Sequence, residues 1–246
     1  MKAMILAAGL GTRLRPLTNR RPKALVEISG RTLLEIALRR LRRFGIGDVI
    51  INVHHFADKI VQYLQANDNF GMHIEVSRED DLLDTGGGLK KAAPFFLDDP
   101  DTRDEPFVLH NVDVLSSIDL RQMAETHAQR QNLVTLAVQQ RETSRYLLFD
   151  SSLQLCGRRA GRDGEPELVR TAQLFDAFAF SGIHVISPRL LTLLSEDGAF
   201  SIITSYLRLA AQGEKICAVR TDEFYWRDLG KPENIRQAEE DLKKEQ

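Results

Sequence analysis

Cysteine and long apolar runs are scarce in this chain, and each scarcity excludes a class of protein. The 246 residues include only two cysteines, Cys156 and Cys217, which is too few for a disulfide framework or a cysteine-based metal site. No apolar run approaches the roughly 20 residues that a membrane-spanning helix needs. We therefore expect a cytoplasmic protein with reduced thiols and no membrane partner.

Excess charge of either sign is also missing. The formal net charge is −2, so the chain lacks the global positive charge that is typical of nucleic-acid-binding proteins. A local cluster of arginines does lie between Arg39 and Arg43, but no aromatic residues are interleaved with it for base stacking. We interpret this cluster as the solvated face of a helix and expect no nucleic acid as a partner.

The composition that is present, 43% hydrophobic and 28% charged residues, is that of an ordinary globular protein. Short apolar runs alternate with amphipathic segments from the N-terminus onwards; these segments are 3–7, 32–44, 49–53, 56–67 and 73–76. Such alternation predicts parallel strands joined by right-handed helical crossovers. We predict an α/β fold with a Rossmann-like, mixed but mostly parallel central sheet flanked by helices.

The stretch Lys2–Lys23 joins a predicted buried strand, a small-residue turn and a basic cluster. Gly9 and Gly11 would let backbone N–H groups approach a ligand, and five cations follow within twelve residues. This order suits a polyanion such as a nucleoside triphosphate. Two standard nucleotide motifs do not fit, because Leu14 stands where both the Walker A loop and the dinucleotide fingerprint require glycine.

The longer string resembles the signature of sugar-1-phosphate nucleotidylyltransferases, which join a sugar 1-phosphate to a nucleoside triphosphate and release pyrophosphate. The matching residues are Leu6-Ala7-Ala8-Gly9-x-Gly11-Thr12-Arg13-Leu14-x-Pro16-Leu17-Thr18 and Pro22-Lys23-Ala24-Leu25. The resemblance implies that Ala7, Ala8, Gly9, Gly11 and Thr12 hold the nucleotide. It also implies that Arg13 binds the triphosphate and that Lys23 meets the phosphates, both as catalytic residues.

Two segments further along the chain extend the resemblance on the nucleotide side. Three glycines in Asp84–Ala92 predict a loop for close backbone approach at a helix N-terminus, and the resemblance places Thr85, Gly86 and Gly87 against the base and ribose. Asp113 follows a predicted strand, where a carboxylate is well placed to hold Mg²⁺. The family usually has glycine before this aspartate, whereas this chain has Val112.

The acceptor side is indicated by three residues. Asn111 resembles the sugar-contacting asparagine of the family. Gly182 interrupts a predicted strand, which indicates a bulge or a close ligand approach, and the resemblance places the sugar nearby. The segment Tyr225–Asn234 resembles a late family segment whose aspartate, here Asp228, supplies the second Mg²⁺ ligand. We thus expect Asp113 and Asp228 to share the metal, with Asp113 catalytic.

The resemblance extends over nearly the whole chain and implies the nucleotide-diphospho-sugar transferase fold. We predict a single domain over residues 1–246, in which residues 1–138 bind the nucleotide. Residues 139–246 would form the sugar-phosphate-binding half and the C-terminal helix. Within that half, two β-like pieces, Tyr146–Phe149 and Leu153–Cys156, predict a hairpin over the sugar side of the cleft.

The base and the sugar stay open at this point. The compact N-acetylmuramate-1-phosphate uridylyltransferases are the most similar, which favours UTP with a hexose-type acceptor resembling N-acetylmuramate 1-phosphate. The Tyr146–Phe149 piece, however, lacks the aspartate of their sugar-contacting segment. Short mannose-1-phosphate guanylyltransferases are similar too, so GTP is the alternative nucleotide, and heptose 1-phosphate or phosphocholine are alternative acceptors. A non-catalytic regulatory module that binds nucleotide sugars is the alternative of another class. We expect a monomer or a homodimer.

Overall fold

The computed structural model describes residues 1–244, and the side chains of residues 1–241. Its strands are β1 (Ala3–Leu6), β2 (Glu27–Ile28), β3 (Arg31–Thr32), β4 (Asp48–Val53), β5 (His73–Arg78), β6 (Phe107–Asn111), β7 (Val114–Ser116), β8 (Val134–Gln139), β9 (Arg145–Asp150), β10 (Leu155–Ala160), β11 (Glu167–Leu168), β12 (Phe175–Ile186), β13 (Ile216–Arg220) and β14 (Trp226–Asp228). Its α-helices are α1 (Leu33–Arg43), α2 (Ala57–Ala66), α3 (Asp84–Lys91), α4 (Ala93–Leu97), α5 (Leu120–Arg130), α6 (Arg189–Leu193), α7 (Ile202–Ala211) and α8 (Pro232–Lys244).

Ten of these strands form one central sheet. The strand order is β11-β10-β9-β12-β6-β1-β4-β5, with β8 beside β12 and β13 beside β8. Strands β6, β1, β4 and β5 are parallel, whereas β12 is antiparallel to β6, β8 and β9. The predicted Rossmann-like α/β fold with a mixed sheet is confirmed. Strand β12 joins the parallel part to the antiparallel hairpins, so strands of both predicted halves belong to one sheet.

Helices cover both faces of the parallel part, which explains the continuously apolar sequence of its central strand β1. On one face α1 contributes the buried residues Leu34, Leu38 and Leu41 at helical spacing. Thr32 caps the N-terminus of this helix, because its hydroxyl accepts a hydrogen bond from the Glu35 N–H (3.0 Å). On the other face, helix α7 contributes Tyr206 to a separate cluster of buried apolar residues.

The glycine-rich segment after β5 differs from the sequence prediction. It is not a loop before a helix, because the three glycines lie inside α3. A Cβ atom at Gly86 would overlap the Phe200 ring, and one at Gly87 would overlap the Gly198 carbonyl oxygen. The glycines let α3 lie directly against the segment 198–200, so the prediction of an open close-approach loop is wrong.

The bulge predicted at Gly182 is confirmed. The register of β12 against β8 shifts between Phe180 and His184, and Gly182 has a φ of 74°. A positive φ of this size favours glycine, so the residue type and the irregularity agree. Among the described residues, no helix combines the length and the apolar character needed to span a membrane.

Candidate active site

Apart from Thr85, Gly86 and Gly87, the predicted site residues lie near the edge of the sheet where the parallel strands β1 and β6 end side by side. Leu6 of β1 pairs with Asn111 of β6, so the loops that follow the two strands leave the sheet at the same edge. In the first loop Gly11 has a φ of 63°, and a Cβ atom there would lie 3.0 Å from both Lys23 Cβ and Thr18 Cγ2. The loop is therefore folded back on the segment that carries Lys23.

A buried polar chain fixes the base of this loop. The Ala7 N–H donates to Asn52 Oδ1 (2.8 Å), and Asn52 Nδ2 donates to Glu79 Oε1 (2.7 Å). Glu79 Oε2 accepts from the Leu83 N–H (3.1 Å) just before α3. The chain ties the first loop to the start of α3 and uses the N–H group of Ala7. Sequence reasoning missed Asn52, although a polar residue inside the apolar run of β4 was a signal.

Asp113 and Asp228 are brought together by a two-stranded ladder of β7 and β14. Asp228 pairs with Val114, and the Leu229 N–H donates to the Asp113 carbonyl oxygen (2.8 Å). The Asp228 carboxylate also accepts from the Gly230 N–H (2.7 Å). The two carboxylates, 115 positions apart in sequence, thereby share one edge of the site.

Two cations stand beside these carboxylates. The Lys23 ammonium forms an ion pair with Asp113, and Arg13 Nη1 lies 4.0 Å from Asp228 Oδ2. Lys23 and Asp113 are mostly buried, whereas the Arg13 side chain is 59% exposed. Arg13 is thus free to reach towards a ligand in the open part of the site.

The pKa values of the two carboxylates are shifted in opposite directions. Burial raises the pKa of Asp113, but the adjacent Lys23 ammonium outweighs this effect, so the pKa lies below the usual value. Burial and the neighbouring negative charge of Asp113 raise the pKa of Asp228. Mutual repulsion of this kind is relieved by a cation that both groups contact.

This donor set fits a magnesium ion. Mg²⁺ is usually held by one or two carboxylates, with phosphate oxygens and water as its other ligands. Within residues 1–241, no group of three or more histidine, cysteine, aspartate or glutamate side chains forms a metal cluster. A two-carboxylate site completed by phosphate oxygens matches Asp113 and Asp228.

Asn111 and Gly182 lie in contact with each other. A Cβ atom at Gly182 would lie 2.8 Å from Asn111 Nδ2 and 2.8 Å from Val114 Cγ2. Only a glycine lets β12 pass this close to the loop between β6 and β7. The structure therefore places both predicted acceptor-side residues next to Asp113.

Arg141 and Trp226 brace the β12 bulge, and sequence reasoning missed both. The Arg141 guanidinium carbon lies 3.6 Å from the centre of the Trp226 ring, and its Nη2 donates to the Phe180 carbonyl oxygen (2.7 Å). Trp226 Nε1 donates to the Ser181 carbonyl oxygen (2.7 Å). Burial lowers the pKa of Arg141, although Asp228 acts in the opposite direction. Trp226 could have been identified from the sequence, because it is the only tryptophan and lies two positions before Asp228. No local sequence feature identifies Arg141 as a site residue.

The site opens into a cleft with a volume of about 1040 Å³. Arg13, Asn111, Asp113, Gly182 and Asp228 line its inner part. Its outer part includes the β9–β10 hairpin, which the sequence predicted at this position, with strands that begin at Arg145 and Leu155.

The glycine segment of α3 is closed by protein contacts rather than open to the cleft. The Gly86 N–H donates to the Phe200 carbonyl oxygen (2.9 Å), and Thr85 Oγ1 accepts from the Ile202 N–H (3.0 Å). Gly87 is buried. Nucleotide contact by Thr85, Gly86 and Gly87 stays a prediction.

Comparisons with known proteins agree with this geometry. The profile of the family described as nucleotidyl transferase matches residues 2–151. The chain is also 32% identical to N-acetylmuramate alpha-1-phosphate uridylyltransferase of Caulobacter vibrioides, over 94% of this chain and 92% of that protein. This chain belongs to the nucleotidyl transferase family. The resemblance recognised in the sequence, and the expectation of an enzyme, are confirmed.

More distant relatives show how wide the family is. Mannose-1-phosphate guanyltransferase of Yarrowia lipolytica is 28% identical over 96% of this chain, which spans only 62% of that protein. A UDP-glucose pyrophosphorylase solved with UDP-glucose matches with a TM-score of 0.80 and 18% identity, over 100% of this chain and 99% of that one. The second likeness concerns the fold alone.

Proposed function

We propose that this nucleotidyl transferase acts on a sugar 1-phosphate and favours UTP, with an acceptor that resembles N-acetylmuramate 1-phosphate. The observation that carries the proposal is the set of Lys23, Arg13 and two adjacent carboxylates at the inner end of one large cleft. The preference for UTP rests on the uridylyltransferase named above, which the chain matches over nearly its full length. A cytoplasmic location remains a prediction.

The chemistry is a displacement at phosphorus. An oxygen of the sugar 1-phosphate attacks the α-phosphorus of the nucleotide, and the bond between that phosphorus and the bridging oxygen of pyrophosphate breaks. The attacking oxygen is already anionic at neutral pH, so no side chain needs to remove a proton. The rate therefore depends on the positioning of two polyanions and on the stabilisation of developing charge.

The positions of four groups of residues support the proposal that this chain performs those two tasks. The exposed Arg13 guanidinium would stabilise the departing pyrophosphate, since a fork of N–H donors matches phosphate oxygens. Lys23 would neutralise charge between the reacting phosphates once it leaves the Asp113 carboxylate. Asn111 and the Gly182 backbone would position the sugar, and the loop of Gly9, Gly11 and Thr12 would hold the nucleotide.

Asp113 and Asp228 would hold Mg²⁺, which supplies positive charge against the phosphate oxygens when it is bound. Their part is to keep two carboxylate oxygens on one side of the reaction centre. Leu229 N–H and Gly230 N–H fix the orientation of this pair.

The first test is pyrophosphate release in the presence of Mg²⁺, measured for each of the four nucleoside triphosphates. The acceptors are the 1-phosphates of N-acetylmuramate, mannose, glucose and heptose, together with phosphocholine. We expect turnover with UTP and N-acetylmuramate 1-phosphate. Turnover confined to GTP and mannose 1-phosphate would contradict the proposed substrates and establish the alternative pair.

The second test is Asp228→Asn, which keeps the shape of the side chain and removes its charge. We expect the rate to fall by at least about 100-fold, because changes at the outer partners of metal ligands already cost about 10- to 100-fold. Asp104→Asn is the matched control, because the Asp104 side chain is 96% exposed and lies outside the cleft. Near-normal turnover by Asp228→Asn would show that the charge of this aspartate is not needed for the reaction. Binding of UTP without transfer to any acceptor by the unmodified chain would favour the regulatory module.

A further inference from the structure

The outer wall of the cleft contains two neighbouring arginines with different surroundings. Arg158 and Arg159 are consecutive in β10, and both line the cleft. Arg158 is held by Glu167 through two hydrogen bonds, Nε to Oε2 (2.6 Å) and Nη2 to Oε1 (3.2 Å). The positive charge of Arg158 is thus already matched by a carboxylate.

Arg159 has no such partner. The salt bridge of β10 joins Arg158 to Glu167, and within the described part of the chain none involves Arg159. Its Nε is buried without a hydrogen-bond partner among the same residues. A partly buried cation loses hydration, and at Arg159 no salt bridge to a carboxylate compensates for that loss, which makes Arg159 a place where an anion from a ligand would bind.

Tyr146 prepares the guanidinium of Arg159 for such a ligand. The two residues are cross-strand partners in the β9–β10 ladder, and the guanidinium carbon lies 5.5 Å from the centre of the Tyr146 ring. The Tyr146 hydroxyl in turn accepts from the Thr143 N–H (3.3 Å). The ring restricts the guanidinium, so less conformational freedom is lost when a planar anion binds.

The position of Arg159 also matters. Asp228, Arg141, Tyr146 and Arg159 all line one cleft, and the Arg159 guanidinium lies over the Tyr146 ring. The reacting phosphate of the acceptor belongs beside Asp228. Arg159 belongs to the β9–β10 hairpin wall of the same cleft, so an anion bound there is a second anionic group of the acceptor and not the reacting phosphate.

We propose that Arg159, supported by Tyr146, is a specificity-determining residue that binds a carboxylate carried by the sugar of the acceptor. A carboxylate matches the planar fork of a guanidinium with two parallel hydrogen bonds, which a neutral hydroxyl cannot form. This inference rests on the proposed function, because it assumes that a sugar 1-phosphate occupies the cleft.

Two acceptors that differ by one group test it. N-acetylglucosamine 1-phosphate is N-acetylmuramate 1-phosphate without the lactyl ether and its carboxylate. We expect Arg159→Gln to lower kcat/KM for the muramate acceptor by about 10- to 100-fold, mainly through KM, as one charged hydrogen-bonded pair would. For the glucosamine acceptor the same variant should stay within about 3-fold of the unchanged protein.

Arg158→Gln is the matched control, since it removes an adjacent arginine whose charge Glu167 already balances. We expect it to change kcat/KM for either acceptor by less than about 3-fold. Arg159→Lys should recover part of the muramate activity, because it keeps the charge and loses the planar fork. Melting curves of all variants verify that each is folded.

The failures of the two proposals are distinguishable. An equal loss for both acceptors in Arg159→Gln would overturn the carboxylate role and leave nucleotidyl transfer standing. So would an unchanged protein that uses the glucosamine acceptor as well as the muramate acceptor. If the unchanged protein releases no pyrophosphate with any nucleotide and acceptor, the proposed function itself is overturned.

Discussion

Gly182 is the residue at which backbone conformation and site geometry depend most directly on each other. Its φ is 74°, and a Cβ atom there would meet Asn111 and Val114. We expect Gly182→Ala to destabilise the fold by about 1–2 kcal/mol through backbone strain and by a further 1–3 kcal/mol through overpacking. Because Asn111 must move, kcat/KM should fall as well. Thermal melting and steady-state kinetics measure the two effects.

Gly213→Ala is the control for this prediction. Gly213 has a φ of 90° at the end of α7, but a Cβ atom there has open space around it. The substitution should destabilise the fold only by the backbone strain, about 1–2 kcal/mol, and leave kcat/KM unchanged. Equal kinetic losses in both variants would mean that the contact with Asn111 is irrelevant to turnover.

The position of Asp113 could be predicted from a general rule, whereas those of Asn111 and Asp228 were implied by the family resemblance. Ligands bind beyond the carboxyl ends of parallel strands, and Asp113 follows β6 there. Arg159 could not be predicted, since in sequence it is equivalent to its neighbour Arg158. Only the pairing of β10 with β11, which places Glu167 beside Arg158, distinguishes the two.

At the scale of elements, α3 depends on the absence of side chains at its packed face. Alanine is favoured over glycine inside helices by about 1 kcal/mol. We expect Gly86→Ala nevertheless to lower the free energy of unfolding by about 1–2 kcal/mol, because the new methyl group would overlap Phe200. Urea titration of the variant measures this change.

A double-mutant cycle isolates the contact. Phe200→Ala removes the ring that the methyl group would meet, so Gly86→Ala should cost less in that background. Gly47→Ala is the neutral control, because no atom lies within 4 Å of a Cβ atom at that position. If Gly86→Ala proves as stable as the unchanged protein, the packing explanation fails.

Elements with strong local patterns could be predicted, whereas α3 could not. Helix α1 has an apolar stripe, a cap at Thr32 and a terminating Gly45, so its limits follow from adjacent residues. In α3 the local preference of three glycines disfavours a helix, and contact with residues 198–200 outweighs that preference. The partner segment is more than 100 positions away, outside any local window.

For the whole molecule, three buried histidines make stability depend on pH. Burial lowers the pKa of His110 and of His127 to about 4 and that of His184 to about 3, below the ordinary value of 6.5. Below about pH 6.5 the unfolded chain therefore binds more protons than the folded protein. The free energy of unfolding should decrease as pH falls from 6.5 towards these values, by up to about 1.4 kcal/mol per pH unit for each histidine.

His127→Gln tests the assignment. It keeps a polar side chain near Thr135 and Ser187, which contact the imidazole at 3.0 and 2.9 Å, and removes the titration. Urea titrations at pH 6.5, 6.0, 5.5 and 5.0 should give a flatter dependence for the variant than for the unchanged protein. Identical slopes would show that His127 has no part in acid destabilisation.

The placement of β12 also has a consequence for synthesis on the ribosome. Strand β6 is complete at Asn111, but its neighbour β12 ends only at Ile186, roughly 75 residues later. At about 5–20 residues per second, the β6 edge of a growing chain would stay unpaired for about 4–15 s. An open edge of apolar strand is a template for pairing with another chain. The nascent protein thus passes through a period in which chaperone capture or aggregation competes with closure of the sheet.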